Sequence, residues 1–527
     1  MRARIISILL GLLAGVAVTD AGHASDMKAW QAWIEKLGQT YLVDRGTIFE
    51  VDNAACQQFI AVFGTCFGNN AAAPYLVPVP PIDGTVIDPY YASGFTMPGQ
   101  TATPGKAGSP SNMFYRLAAG DALVVIMSPP PRLAYLGYQS YVFTRSASDY
   151  PASAAADATL SPDPSRYEIL GSVGNDVNDV IVQNRIGSFW GGDPIVYVTT
   201  SDPRLADYIV SDAAASGLDA KRIFVEPVGA NVKTGTTFAA DDRITLFRYA
   251  LPEDAAASSQ WLSNLKSNIQ VYRVALPPSR LAPPQYPTQT YTPKTGNDEA
   301  SLAPPFDELS GLLAGWLKEH QSAGPTRTCN ASQSDHVDEN HEPYGTLVGK
   351  DCIAEGRSCL ADNQDTDAYR TAVIGALMSG NAAIFTGVNH AVTDNASYLS
   401  LSVYNGQTTA GVASTSQTNP QAVGFYSGDM TGSAEAVLKS LGLYDSASPA
   451  LKAALPKLYV EFFARDCGAR SNCVKIATAD VPLGVPIAIT QRAYVRPGST
   501  TGADPDIMQG PRAIFQSRTT VCPMPKK

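Results

Sequence analysis

Tyr135-Leu136-Gly137-Tyr138-Gln139-Ser140-Tyr141 and Tyr398-Leu399-Ser400-Leu401-Ser402-Val403-Tyr404 share one strand pattern. Both read Tyr-Leu-x-apolar-x-x-Tyr, and aromatic and β-branched residues favour a pleated, half-buried surface. Each follows a shorter apolar strand, Ala122–Met127 in one case and Ala382–Val388 in the other. A second pattern, Ile-Thr-x-x-x-Tyr-x-x-Pro, comes later each time. It occupies Ile244, Thr245, Tyr249 and Pro252, then Ile489, Thr490, Tyr494 and Pro497. Two marks in the same order suggest a duplicated unit.

Working outward, each unit opens with an amphipathic helix carrying Trp. Asp26–Leu37 places Trp30, Trp33, Ile34 and Leu37 at helical spacing. Phe306–His320 does the same with Leu309, Leu313, Trp316 and Leu317. A βαβ segment fits 194–228, with a helix over Pro203–Ser216. In the second unit a helix fits Ala434–Leu441, and strands fit 458–463 and 473–478. Between the units, Leu276–Pro305 holds eight prolines and reads as an extended connector. The expected fold is α+β: two related halves, each a mainly antiparallel sheet with helices on one face, stapled by disulfides. The expected divisions are a leader over 1–24, a first half over 25–275, the connector over 276–305 and a second half over 306–527. Ala71–Asn112 is rich in Pro, Gly, Ser and Thr without periodicity and reads as one long surface loop.

The leader has Arg2 and Arg4, an apolar run over Ile5–Val18, and small residues ending at Ala24. That is the layout of a secretory signal peptide, with cleavage expected after Ala24. A secreted or periplasmic location follows. Eight cysteines, all beyond the leader, then read as disulfides. Cys56/Cys66 and Cys467/Cys473 are the close pairs; Cys329, Cys352, Cys359 and Cys522 allow three pairings. The net charge of −10 argues against nucleic acid and anionic membrane, since both require a basic face. No second segment reaches membrane-spanning length. A small molecule or an extracellular polymer is the expected partner.

The candidate chemistry sits on histidines in the second half. His390 ends an apolar strand, and Asp394 stands close enough in sequence to orient its ring. His336, Asp338 and His341 form the densest group of nitrogen and oxygen ligands and suit a divalent metal. Asn363, Asp365 and Asp367 match the first calcium-loop spacings, but Ala368 and Ile374 break that pattern. Asp367 reads better as the cap of a helix over Ala368–Met378. Nucleophile-elbow, zincin, P-loop and dinucleotide signatures are missing. Trp190 is an aromatic of the type that sugar sites expose. The functional expectation is an exported hydrolase or lyase using His390, with metal help from the His336/His341 loop. The alternative is a non-catalytic exported binding or structural protein. If the halves are a duplication, the cleft between them is the expected site.

Overall fold

The computed structural model describes residues 21–51, 53–67, 75–81, 113–151, 165–275, 284–321, 324–331, 348–359, 362–366, 370–412 and 424–517. Most of the leader (1–20), Cys522 and the His336–Asp338–His341 loop lie outside the described residues. The architecture is α+β with four mostly antiparallel sheets.

Up to the connector the strands are β1 (Leu42–Arg45), β2 (Thr47–Val51), β3 (Tyr75–Val79), β4 (Asp121–Met127), β5 (Leu133–Ser146), β6 (Arg166–Ser172), β7 (Val177–Asn178), β8 (Ile195–Thr200), β9 (Ile223–Pro227), β10 (Asp242–Pro252) and β11 (Ile269–Ala275). They form a sheet ordered β1-β11-β4-β8-β9 and a second ordered β2-β3-β10-β5-β6, with β7 also on β5. Beyond it come β12 (Thr326–Asn330), β13 (Arg370–Gly375), β14 (Ala382–Val388), β15 (Tyr398–Asn405), β16 (Ala410–Gly411), β17 (Gly424–Tyr426), β18 (Leu458–Ala464), β19 (Cys473–Lys475), β20 (Ile487–Tyr494) and β21 (Arg512–Gln516). These give sheets ordered β12-β21-β14-β18-β19 and β13-β20-β15-β16, with β17 also on β15.

The two five-stranded paths follow the same rule. An early edge strand pairs with the last strand of its half, and the far edge is a parallel pair, β8–β9 or β18–β19. One face of each is covered by helices. Trp30, Trp33, Ile34 and Leu37 of the helix Ala21–Leu37 and Leu205 and Ile209 of Pro203–Ala215 pack on Val124, Ile126, Val196 and Val198. Leu309, Leu313 and Leu317 of Ala303–His320 and Val437 and Leu438 of Ser433–Ser440 pack on Ile384, Val460 and Phe462. The helix Pro203–Ala215 starts where Asp202 accepts from the Arg204 amide and Pro203 opens the first turn. The opposite face of each path packs on the second sheet, through Tyr138, Tyr197 and Phe247 in one half and Leu401, Phe463 and Ile489 in the other.

Three expectations need correction. Ala71–Asn112 is not one loop: Tyr75–Val79 is β3, between β2 and β10. Arg370–Gly375 is a strand, not part of a helix, because the run Thr-Ala-Val-Ile takes the free edge of β20. Strand parity also breaks the second sequence mark. On the β5/β10 ladder Tyr135 opposes Ala250, and on β15/β20 Tyr398 opposes Tyr494. Tyr494 therefore matches Ala250 rather than Tyr249, and Tyr249 points into the first half's own core.

Cys56–Cys66, Cys352–Cys359 and Cys467–Cys473 are disulfides, and Cys329 is disulfide-bonded as well. The Cys352–Cys359 loop holds the helix Gly349–Glu355 against β6. There Cys352, Ile353 and Cys359 complete a core with Val142, Ile169 and Val173. Residues 348–359, encoded after the connector, are thus packed against the first half. Gly349 is required at the contact: a Cβ there would lie 2.1 Å from the Ser172 carbonyl oxygen.

Candidate functional site

Alternation decides which strand residues face away from each half's core. On β5 and β10 these are Tyr135, Gly137, Gln139, Tyr141, Arg248 and Ala250. On β15 and β20 they are Tyr398, Ser400, Ser402, Tyr404, Arg492 and Tyr494. The two outward faces meet at a seam. The Tyr135 and Tyr494 rings lie 4.8 Å apart, and Tyr494 stacks on Tyr398 at 4.9 Å.

Two arginines stand at matching ladder positions. Arg248 opposes Gly137, and Arg492 opposes Ser400. Each guanidinium sits over the Tyr that closes its Tyr-Leu-x-x-x-x-Tyr run: Arg248 over Tyr141 at 5.4 Å and Arg492 over Tyr404 at 5.6 Å. Both are buried, at 1 % and 4 % exposure. A charge so enclosed needs partners close by. Arg248 has Asp176 at 3.8 Å. Both arginines also lower the Tyr494 hydroxyl pKa, against burial, which raises it overall.

The segment Asp362–Thr366 crosses the seam. Asp362 accepts from the Ser172 amide (2.7 Å), the Ser172 hydroxyl (2.6 Å) and the Gly349 amide (2.8 Å). Asp365 accepts from the Tyr135 hydroxyl (2.6 Å) and the Asn178 amide (2.9 Å), while its carbonyl accepts from the Val495 amide. Gly137 leaves room for this: a Cβ there would lie 2.0 Å from the Tyr135 hydroxyl. Burial raises the pKa of Asp362, Asp365 and Asp176, and the Asp365 charge pushes Asp176 up further. Asp176 is near enough to Asp365 to steady its charge as a proton donor, although the contact falls outside ordinary hydrogen-bond geometry.

Several seam groups are left over. The hydroxyls of Ser400 and Ser402 and both Asp176 oxygens are buried without a hydrogen-bond partner among the described residues. Orphaned buried polar atoms cost about 1–3 kcal/mol each and are rare in native folds.

The sequence candidates lie elsewhere. His390 is fully buried, and its Nδ1 pairs with Glu299 at 2.9 Å rather than with Asp394. Glu299 also accepts from the Thr393 hydroxyl, the Asn395 amide and the Gln509 backbone amide. Burial raises the Glu299 pKa, but His390 and these bonds outweigh it and bring it to about 2. Asp394, in a left-handed turn conformation at φ 57°, lines a recess of about 190 Å³ with Asn297, Glu299 and Lys457. The His390 ring is not part of its wall. Trp190 is half-buried against Phe189. Among the described residues no group of three His, Cys, Asp or Glu is placed to hold a metal. Sequence reading missed Arg248 and Arg492. The available signal was an Arg just before the Tyr-bearing end of each strand, hidden because the Ile-Thr mark aligns one residue out of register.

No helix among the described residues is long and apolar enough to cross a membrane, and the disulfides suit an oxidising compartment. No family model matches the chain, and no curated protein does. The solved structure of the VPA0106 protein from Vibrio parahaemolyticus is similar at 9 % identity and a TM-score of 0.33, over 94 % of this chain and 100 % of that one; this likeness is too slight to carry an argument.

Proposed function

We propose that the chain is an exported, non-catalytic binding protein made of two related halves, which encloses a small polar anion at the seam between them. The relatedness rests on the shared sheet order and on the repeated Arg–Tyr pairs, Arg248/Tyr141 and Arg492/Tyr404. The divisions proposed are 25–275, 276–305 and 306–527, with residues 1–24 removed on export to the periplasm or beyond. The observation that carries the binding reading is the pair of Ser400 and Ser402 hydroxyls, buried without a hydrogen-bond partner among the described residues, beside two buried arginines. A bound carboxylate or phosphate ester accepts from the two serine hydroxyls, and the buried guanidiniums supply the positive charge that favours an anion there.

A ligand so enclosed leaves slowly, so native mass spectrometry of the purified protein should show a small adduct. Di- and tricarboxylates and phosphate monoesters should raise the melting temperature of ligand-stripped protein, and Ser400→Ala with Ser402→Ala should abolish that rise. No adduct and no shift with any of these probes would retire the reading.

The hydrolase or lyase alternative draws support from the Asp176/Asp365 pair rather than from His390. Two interacting carboxyls, both raised by burial, are a pairing that acid–base hydrolysis uses. Turnover lost in Asp365→Asn, with folding retained, would favour it. Metal analysis tests the His336, Asp338 and His341 site: stoichiometric zinc or another divalent ion would restore that loop to the mechanism.

A further inference from the structure

Two disulfide-closed loops are built alike and exchanged between the halves. The helix Asn53–Phe63 carries Cys56 as its fourth residue, Gly64 follows at φ 77°, and Cys66 closes the loop. The helix Gly349–Glu355 carries Cys352 as its fourth residue, Gly356 follows at φ 72°, and Cys359 closes the loop. Glycine takes this left-handed conformation freely and ends each helix there.

Each loop is fastened to the other half. The Cys66 amide donates to the Thr408 carbonyl (2.9 Å), and the Cys359 amide to the Ile169 carbonyl (2.7 Å). The two acceptors stand at matching places. Tyr141 opposes Ser172, three residues beyond Ile169, and Tyr404 opposes Gly411, three residues beyond Thr408. The residue after each acceptor is left-handed without being glycine: Leu170 at φ 38° and Thr409 at φ 46°. Such residues are uncommon and costly, so the same outlier at both places marks a built contact. Side chains add to it. The Thr65 and Thr409 hydroxyls are bonded, and Ile60 packs beside Ala410. The Ser358 hydroxyl donates to Glu168 (2.9 Å), and the Tyr150 hydroxyl to the Ile353 carbonyl (2.8 Å).

The fastened edges border the seam. Tyr141 and Tyr404, over which Arg248 and Arg492 sit, are the residues paired with them. Each second cysteine lies just past its helix, where a chain frays at almost no cost. Its disulfide pins it back to the helix and so holds its amide on the other half.

We propose that these loops are clasps that make closure of the seam redox-dependent, so that the chain retains its ligand only when both are oxidised. The ligand rests on the binding reading above; the closure does not. Closing a clasp joins two thiols in one disulfide. The two protons and two electrons given up pass to an oxidising disulfide of the compartment, which becomes a dithiol. A chain still reduced before export has an open seam, and capture is confined to the oxidising side.

Hydroxyl-radical footprinting of the full mature chain tests the closure. Tyr135, Tyr398 and Tyr494 report the seam, and Tyr197 and Tyr459 report the core of each half; all are at most 1 % exposed in the closed structure. Cys56→Ala with Cys66→Ala, and Cys352→Ala with Cys359→Ala, should each raise labelling of the seam tyrosines about tenfold or more while Tyr197 and Tyr459 stay protected. Cys467→Ala with Cys473→Ala removes a disulfide that stays within the second half and should leave all of these tyrosines protected. Seam tyrosines protected in both clasp variants, or exposed equally in the Cys467/Cys473 variant, would overturn the proposal. Where a clasp variant also exposes Tyr197 or Tyr459, graded reduction of the wild type decides. The seam tyrosines must then be labelled before the core pair, and simultaneous labelling overturns the proposal. The adduct found on the wild type should be lost from the clasp variants, and its persistence there would also defeat the proposal. If no adduct appears at all, the binding reading fails and the footprinting still decides the closure.

Discussion

Glu226 in the first half and Glu461 in the second are both buried on strands, and the two are provided for in opposite ways. Glu226 on β9 is 1 % exposed and accepts from the Ser140 amide (2.6 Å), the Ser140 hydroxyl (2.5 Å) and the Thr199 hydroxyl (2.6 Å). Glu461 on β18 is fully buried, and neither oxygen has a partner of ordinary hydrogen-bond geometry among the described residues. Burial pushes Glu461 up to about 9, with Ser433 and Asn472 near enough to offset only part of that. For Glu226 burial also raises the pKa, but the donors and Arg243 pull against it. The contrast separates burial from function. A buried carboxyl with three donors acts as a fastener, and one without donors is a stored proton.

The largest expected effect comes from pH. The unfolded chain ionises Glu461 near the ordinary 4.5 while the fold keeps its proton to about 9. Stability contributed by this residue is therefore whole below about pH 4.5 and falls as pH rises towards 9. The slope is about 1.4 kcal/mol per pH unit, or about 4 kcal/mol between pH 5 and 8. Urea unfolding of the wild type and Glu461→Gln across that range should diverge by about this amount. A constant difference would mean that Glu461 is ionised and partnered, and the comparison would break.

Next in size is Glu226→Ala, which strands the Ser140 and Thr199 donors. It should cost about 3 kcal/mol in the same assay. A cost below about 1 kcal/mol would make the two glutamates alike.

The third test sharpens the comparison with a carboxyl shifted the other way. Glu299, at about 2, contributes stability that is whole above pH 4.5 and is lost as pH falls towards 2. His390→Ala should cost roughly 1–3 kcal/mol at neutral pH and flatten that acid limb, while leaving seam binding unchanged. Loss of binding with full stability would return His390 to the site.

Much of the fold was legible where one period dominates. The Trp-bearing helices, β4, β14 and the β8–helix–β9 unit stand within a few residues of their expected bounds. Three kinds of error have physical causes. Pro78 and the Pro/Gly-rich surroundings masked β3, whose partners are remote in sequence. Asp367 before a helix-compatible run suggested a cap, but the open edge of β20 took that run as β13. The Ile-Thr mark matched composition without parity, and a one-residue slip turns every side chain to the other face. Of the proposed site, only a place at the junction of the halves was expected from sequence. Arg248, Arg492, Asp176 and Asp365 come together through ladder register and through a segment reaching back across the connector, neither of which a local pattern encodes.

That reaching segment has a consequence for the order in which the protein is made. Val142, Ile169 and Val173 are covered by Cys352, Ile353 and Cys359. About 180 residues separate Val173 from Cys352, and synthesis at roughly 5–20 residues per second makes the wait on the order of 10–40 s. Throughout that time the first half has an open apolar face. It is a natural docking point for a holding chaperone, and a chain truncated in the connector should aggregate instead of folding.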